Sequence, residues 1–272
     1  DWLTGMRGGE KVLEAVCRLF PEAPIHTLVH ARGSVSGAIE ARTIQASPVL
    51  RLLPARTRLY RHYLPFFPAA IEALDLDRAD LVISTSHCAA KAVITPGRAR
   101  HVCYCHSPMR YAWDQYEAYF GPDRVGRAGS QALRPVLAWL ARWDRSTAGR
   151  VDRFLANSQH VAGRIGRYYN RGADVVYPPV DTAFFSPSGR SPEPGFLVVS
   201  ALVPYKRIDV AIAAANRLGA RLRIVGTGPD RDRLRRQAGP TVEFAGTLDP
   251  VALRAAYQSA QALVARLDLR TL

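Results

Sequence analysis

Short β-branched runs alternate along this chain with helix-length amphipathic segments, and that alternation leaves few folds open to it. Residues 25–30 (IHTLVH), 81–86 (LVISTS), 101–105 (HVCYC), 153–157 (RFLAN) and 174–178 (DVVYP) read as strands. The series continues through 196–202 (FLVVSAL), 221–226 (RLRIVG), 242–246 (VEFAG) and 262–265 (ALVA). Most neighbours are separated by segments such as EKVLEAVCRLF and RIDVAIAAANRLG, apolar at helical spacing. Continuous apolar strands separated by helices build parallel sheets covered on both faces, so the predicted class is α/β.

One stretch interrupts the rhythm. Residues 178–195 carry Pro178, Pro179, Pro187, Pro192 and Pro194 with neither period, which reads as a connector. The expected division is a first Rossmann-like domain over 1–180, a Pro-rich linker over 181–195 and a second, incomplete Rossmann-like domain over 196–272. The opening DWLTGMRGGEKVLEAV enters a helix from a loop without the strand that would feed it, so both ends read as cut.

A chain of 272 residues, 48% hydrophobic and 22% charged, is long enough for two cores and has the composition of a soluble globular protein. No run reaches the roughly 18 to 20 apolar residues of a membrane span. The net charge of +14 points to anionic partners, through a dedicated basic face or an arginine-rich solvated surface. A nucleic-acid reader would concentrate its cations on one element and show a reading module. Here the charge is spread and no such module is read, so nucleic acid is not an expected partner. Cys17, Cys88, Cys103 and Cys105 form no disulfide framework, which predicts reduced thiols and a cytoplasmic setting.

Four motifs carry chemistry. GMRGGEKVLE sets Gly8 and Gly9 directly before a helix, where unshielded backbone N–H groups form an anion site. A tight turn with Glu10 complementing the helix dipole is the alternative. In IVGTGPDRDRL, Gly226 and Gly228 follow a strand, but Arg231 stands where a dinucleotide fingerprint has its third glycine, which argues against NAD. In SALVPYKRIDVAI a strand ends near Leu202, and Lys206 and Arg207 open a helix. The carboxyl ends of strands line the ligand crevice of an open α/β sheet, and two cations there suit a diphosphate. CYCHSPMRYAWD places His106 just beyond a strand on one face of which His101, Cys103 and Cys105 alternate. Zinc would need a second, distant ligand pair, so no metal is expected. A substrate-facing histidine and a hydrogen-bonded loop histidine both remain open.

Together GMRGGEKVLE, CYCHSPMRYAWD, VDRFLANSQHVAGRIGRYY, VVYPPVD, VPYKRIDVAI and GTGPDRDRL resemble the family-4 glycosyltransferases, in particular the bacterial mannosyltransferases of surface-polysaccharide assembly. The resemblance implies the GT-B architecture, in which an acceptor-side domain and a nucleotide-sugar domain face each other. It further implies a retaining transfer, here of mannose, to a lipid-linked or glycan acceptor. GDP-mannose would be a substrate, and no cofactor or metal is implied. By position, Gly8 and Gly9 match the Gly-Gly loop near the donor phosphates, and His106 the histidine beside the donor sugar. Lys206 matches the lysine on the leaving diphosphate, with Arg207, Gly226 and Gly228 on the donor side. Ala201 stands where many members carry arginine, leaving the phosphate charge to Lys206 and Arg207. The E-x7-E segment expected after QALVA is not read in RLDLRTL. A non-catalytic fragment of the fold is therefore the second reading, and the chain by itself is expected not to be a competent transferase. In residues 51–68, Arg51, Arg56, Arg58 and Arg61 interleave with leucine and aromatic residues. Such a stretch suits the anionic inner face of the plasma membrane, or equally a buried aromatic helix with a solvated basic face.

Overall fold

Pro179 separates two sets of parallel strands in the computed structural model, which describes residues 1–189 and 191–265. In the first unit, Asp1–Pro179, β1 (Trp2–Leu3) pairs with β3 (Val29–His30), and β2 (Ile25–Thr27) pairs with β4 (Ile44–Ala46). A four-stranded ladder follows in the order β5 (Leu81–Ser86), β6 (Arg100–Cys105), β7 (Arg153–Ala156) and β8 (Asp174–Val175), every pairing parallel. Cys103 is matched to Ser84 on one side and Phe154 on the other. The α/β class read from the sequence is the class observed.

Burial is concentrated on the central strands β6 and β7, whereas β5 buries only Ser84 and Ser86. His101, Cys103 and Cys105 share the face read from their alternation, and all three are buried along with Tyr104. Phe154, Ala156, Val161 and Ile165 close over Cys103 and Cys105, so helix Gln159–Tyr169 lies on that face. Removing a side chain of this size from water contributes roughly 1.5 to 3 kcal/mol. The helix starts at Ser158, whose Oγ accepts the Val161 N–H, and ends at Asn170 in the left-handed region. A second cluster packs Phe67, Ile71, Met109 and Leu140 together. Lys91 is buried between the two and ion-paired with the equally buried Asp144 at 3.1 Å. Trp113 Nε1 and the Tyr169 hydroxyl donate to the same carboxylate at 2.7 and 2.9 Å.

The second unit, Val180–Leu272, is one sheet in the order β11 (Val242–Gly246), β10 (Leu222–Val225), β9 (Glu193–Val199) and β12 (Ala260–Leu263), again parallel. Helices Ile208–Leu218 and Arg231–Gln237 supply Ile212 and Leu234 to its core.

Several boundaries differ from the sequence reading, each for a local reason. β9 begins at Glu193, which pairs with Ala260, so residues 193–195 of the expected linker belong to the sheet. The remaining connector is not bare: Phe185 meets the Tyr257 ring edge-on and Gln258 Nε2 donates to Ser186 O at 2.7 Å. The run 25–30 breaks at Leu28 into β2 and β3, and 174–178 keeps only two strand residues, β8 being paired on one side alone. The helix expected after Gly8 and Gly9 starts at Gly8 itself (α1, Gly8–Leu19), because the Glu10 carboxylate reaches back to the Arg7 N–H at 2.9 Å. The RLDLRTL segment, with its expected lack of an E-x7-E, lies outside the described residues.

Candidate functional site

His106 is held by its backbone before its ring is placed. Its N–H donates to Ser86 O at 2.8 Å, extending the β5–β6 ladder by one residue, and its carbonyl accepts from Asn157 Nδ2 at 3.1 Å. The ring therefore stands at the carboxyl end of a central strand. It meets the Tyr104 ring edge-on at 5.2 Å and lies over the first turn of α1, where a Cβ on Gly9 would sit 3.5 Å from Nε2. Burial, followed by the neighbouring His87, lowers its pKa to about 4. The imidazole is neutral at physiological pH, and its buried Nε2 has no hydrogen-bond partner. An orphaned polar atom beside a side-chain-free helix terminus is suited to receive a polar ligand group. His101, by contrast, is fully committed to Ser84 Oγ at 2.8 Å and Arg150 O at 3.0 Å.

The neighbouring loop contains chemistry that the sequence reading missed. The Asp1 carboxylate accepts backbone N–H bonds from His87, Cys88, Ala89 and Ala90 at 2.6, 3.1, 2.7 and 2.8 Å, and it also faces His87 Nδ1 at 2.9 Å. Consecutive amides converging on one anion form a nest. Burial is the main cause that lowers His87 to about 3, so it meets Asp1 as a neutral N–H donor. The only signal available was the dense Ser-His-Cys-Ala-Ala turn after LVISTS, which carries no spacing rule.

In the second unit the loops after β9 and β10 are laced together. Leu202 N donates to Thr227 O at 2.9 Å and Asp230 N to Leu202 O at 3.1 Å. A Cβ on Gly226 would lie 2.0 Å from Ser200 O, and one on Gly228 would lie 2.2 Å from Leu202 O. Backbone fills the space at both glycines, so the crossing of two loops accounts for them. Lys206 closes a short turn, Pro204–Lys206, and Arg207 follows with φ of +49 as the N-cap of helix Ile208–Leu218. The Arg207 guanidinium grips Asp209 through Nε and Nη2, both at 3.1 Å, and its hydrogen bond holds the Asp209 carboxyl below its ordinary pKa. Thus Gly8, Gly9 and His106 come together in the first unit, and Lys206, Arg207, Gly226 and Gly228 stand at strand ends in the second.

Residues 6–184 match the family model Glycosyltransferase Family 4, and residues 193–271 match Glycosyl transferases group 1. The chain belongs to glycosyltransferase family 4. A GDP-mannose-dependent alpha-mannosyltransferase of Mycolicibacterium smegmatis is 34% identical to this family-4 chain over 160 residues, covering 54% of it and 42% of the relative. Among solved structures, TarM is similar in fold at a TM-score of 0.52 and 12% identity, over 74% of this chain and 39% of TarM. AviGT4, a glycosyltransferase involved in Avilamycin A biosynthesis, aligns at a TM-score of 0.46 and 16% identity, over 97% of this chain and 63% of AviGT4. The chain spans less than half the length of the mannosyltransferase and of TarM.

Among the described residues no group of His, Cys, Asp and Glu converges as a metal site would require, and no helix is long and apolar enough to cross a membrane. All four cysteines are free and buried. The 51–68 stretch has the buried aromatic side and solvated basic face of the second reading. Tyr60, Leu64 and Phe67 are buried, while Arg51, Arg56, Arg58 and Arg61 face solvent beside the exposed Leu52 and Phe66.

Proposed function

We propose that this chain supplies the acceptor-side domain and part of the donor domain of a retaining mannosyltransferase, which moves mannose from GDP-mannose to a lipid-linked or glycan acceptor. The observation that carries the proposal is His106, buried and neutral, with Nε2 unpartnered above Gly9 at the start of α1. A neutral ring in that position can hydrogen-bond a sugar hydroxyl without competing for the phosphates. The GDP-mannose-dependent relative supports the choice of donor.

Cleavage of the sugar–phosphate bond leaves negative charge on the nucleoside diphosphate. In this reading Lys206 and the first amides of helix Ile208–Leu218 stabilise that charge as it develops, an effect worth about 10²–10³ in rate per good donor. Arg207 is shared with Asp209 and serves to orient the turn. The exposed arginines of 51–68, together with Leu52 and Phe66, fit a peripheral contact with the anionic inner face of the plasma membrane. In this reading the enzyme works in the cytoplasm.

Thermal melts with GDP, GDP-mannose, UDP and UDP-glucose test the donor. A larger rise in Tm with the guanine ligands is expected, and a rise with the uracil ligands alone would overturn it. Flotation with vesicles rich in phosphatidylglycerol tests the membrane contact, which Arg56→Glu with Arg58→Glu should abolish.

A further inference from the structure

The ring of His106 is not held by hydrogen bonds of its Nε2. That atom is buried without a partner among the described residues, and it lies against the first turn of α1. A polar atom stranded in this way favours any rotation that returns it to water. Its neighbours Tyr104 and Gly9 make ring and van der Waals contacts, which do not oppose such a rotation strongly. The backbone beneath the ring has to be fixed instead.

β6 and β7 stay paired as far as Cys105 and Ala156. One residue further on, the His106 carbonyl is taken up by a side chain, Asn157 Nδ2 at 3.1 Å. The amide of Asn157 has one orientation that fits. A carbonyl can only accept, so the NH2 faces His106, and Oδ1 accepts from Ser158 Oγ at 3.1 Å. Ser158 Oγ in turn accepts the Val161 N–H in the first turn of helix Gln159–Tyr169. The three bonds run in one sense from the helix terminus to His106, and each polarises the next.

The segment that leaves His106 returns to the same helix. Trp113 stacks on Tyr168 with ring centroids 4.7 Å apart and planes 22° from parallel. Asp114 accepts from both terminal nitrogens of the buried Arg164. Residues 106–114 are thus tied at both ends to one helix and its cap, and Asn157 is the tie beside the ring.

We infer that Asn157 is a positioning residue for sugar transfer, which holds the His106 carbonyl so that the imidazole stays over Gly9 with Nε2 presented to the sugar. The inference rests on the reading of His106 as the sugar-facing group. Its geometric part, the hold of Asn157 on the ring, is measured without any sugar.

The test is Asn157→Leu in the 272-residue chain, which keeps the size of the side chain and removes its N–H, with Ser158→Ala as a milder variant that releases the amide to turn. Nuclear Overhauser effects between the His106 ring and Gly9 report the placement. The titration of the same ring, which His87, Arg110 and the Tyr104 ring surround, reports its burial. Asn157→Leu should abolish the contacts and raise the His106 midpoint by about one pH unit or more, as desolvation is relieved. Ser158→Ala should move both in the same direction by less. His101, anchored separately on Ser84 and Arg150, should keep its titration in both variants. Calorimetry with GDP-mannose and GDP should show the preference for the sugar-bearing ligand falling about threefold or more in Asn157→Leu. A lower Tm with the Gly9 contacts and the His106 midpoint intact would make Asn157 a structural cap and overturn the inference. Lost contacts with an unchanged ligand preference would uphold the hold on the ring and count against the sugar-facing reading of His106.

Discussion

The ring of His106 and the α-carbon of Gly9 are so close that a methyl group on Gly9 would touch Nε2 at 3.5 Å, in ordinary van der Waals contact. Space exists there for one carbon and little more. In the second unit Gly226 has no such room: its φ is +134 and a Cβ would overlap Ser200 O.

Alanine at the two positions should therefore act in opposite directions on stability. Gly9→Ala, in the first turn of α1, is expected to leave the unfolding free energy unchanged or raise it by up to about 1 kcal/mol. It should at the same time lower sugar transfer by covering Nε2. Gly226→Ala should lower the unfolding free energy by about 3 kcal/mol or more. Urea titrations of both variants, with donor turnover measured alongside, check the contrast.

Lys206→Ala, in a chain that turns over donor, should lower kcat/KM by about 10²-fold or more and leave Tm within a few degrees. His106→Ala should reduce transfer strongly while changing GDP affinity little. Activity of Lys206→Ala within threefold of the parent would remove the lysine from the reaction.

Acid should destabilise the first unit ahead of any effect on its carboxylates. His106 is held at about 4 and His87 at about 3, chiefly by burial, and burial also lowers His26 and His101. On unfolding these groups return toward about 6.5. Below that value the unfolded chain binds protons that the folded chain refuses. The stability is therefore complete above about pH 6.5 and is lost as pH falls toward 4, at up to about 1.4 kcal/mol per pH unit for each group. Urea midpoints between about pH 7 and pH 5 should show the fall, and His106→Gln should flatten it. A midpoint constant across that range would contradict the assignment.

Asp1→Asn should cost about 2 kcal/mol or more, because four converging N–H groups would meet one carbonyl and an NH2 in place of a carboxylate. Exchange of the Ala89 and Ala90 amides should quicken in the variant.

The parts of the fold that were legible in the sequence are those whose cause is local. LVISTS is β5 over its whole length because its β-branched residues favour the extended backbone, and His106 follows the end of β6 as the motif suggested. DVVYP misled because β8 is paired on one side only, where apolar content no longer reports strand length. Gly226 and Gly228 stood out as glycines, but the reason for them, a loop crossing from Ser200 to Leu202, is invisible along the chain. Asp1 was missed for the same reason. Its partners lie 86 to 89 positions away, and no spacing rule connects them.

The buried Lys91–Asp144 pair has a consequence for how this sequence can change over time. Loss of either partner alone strands a charge inside the first unit, at a cost of about 3 to 5 kcal/mol, a large share of what a domain has to spare. Replacing both with apolar groups of similar volume removes the charges but strands the Trp113 and Tyr169 donors, so a joint change must include those partners as well. The two positions are therefore inherited as one character: single steps away from the pair lead downhill into an unfolded chain, and only a joint substitution crosses to another workable sequence.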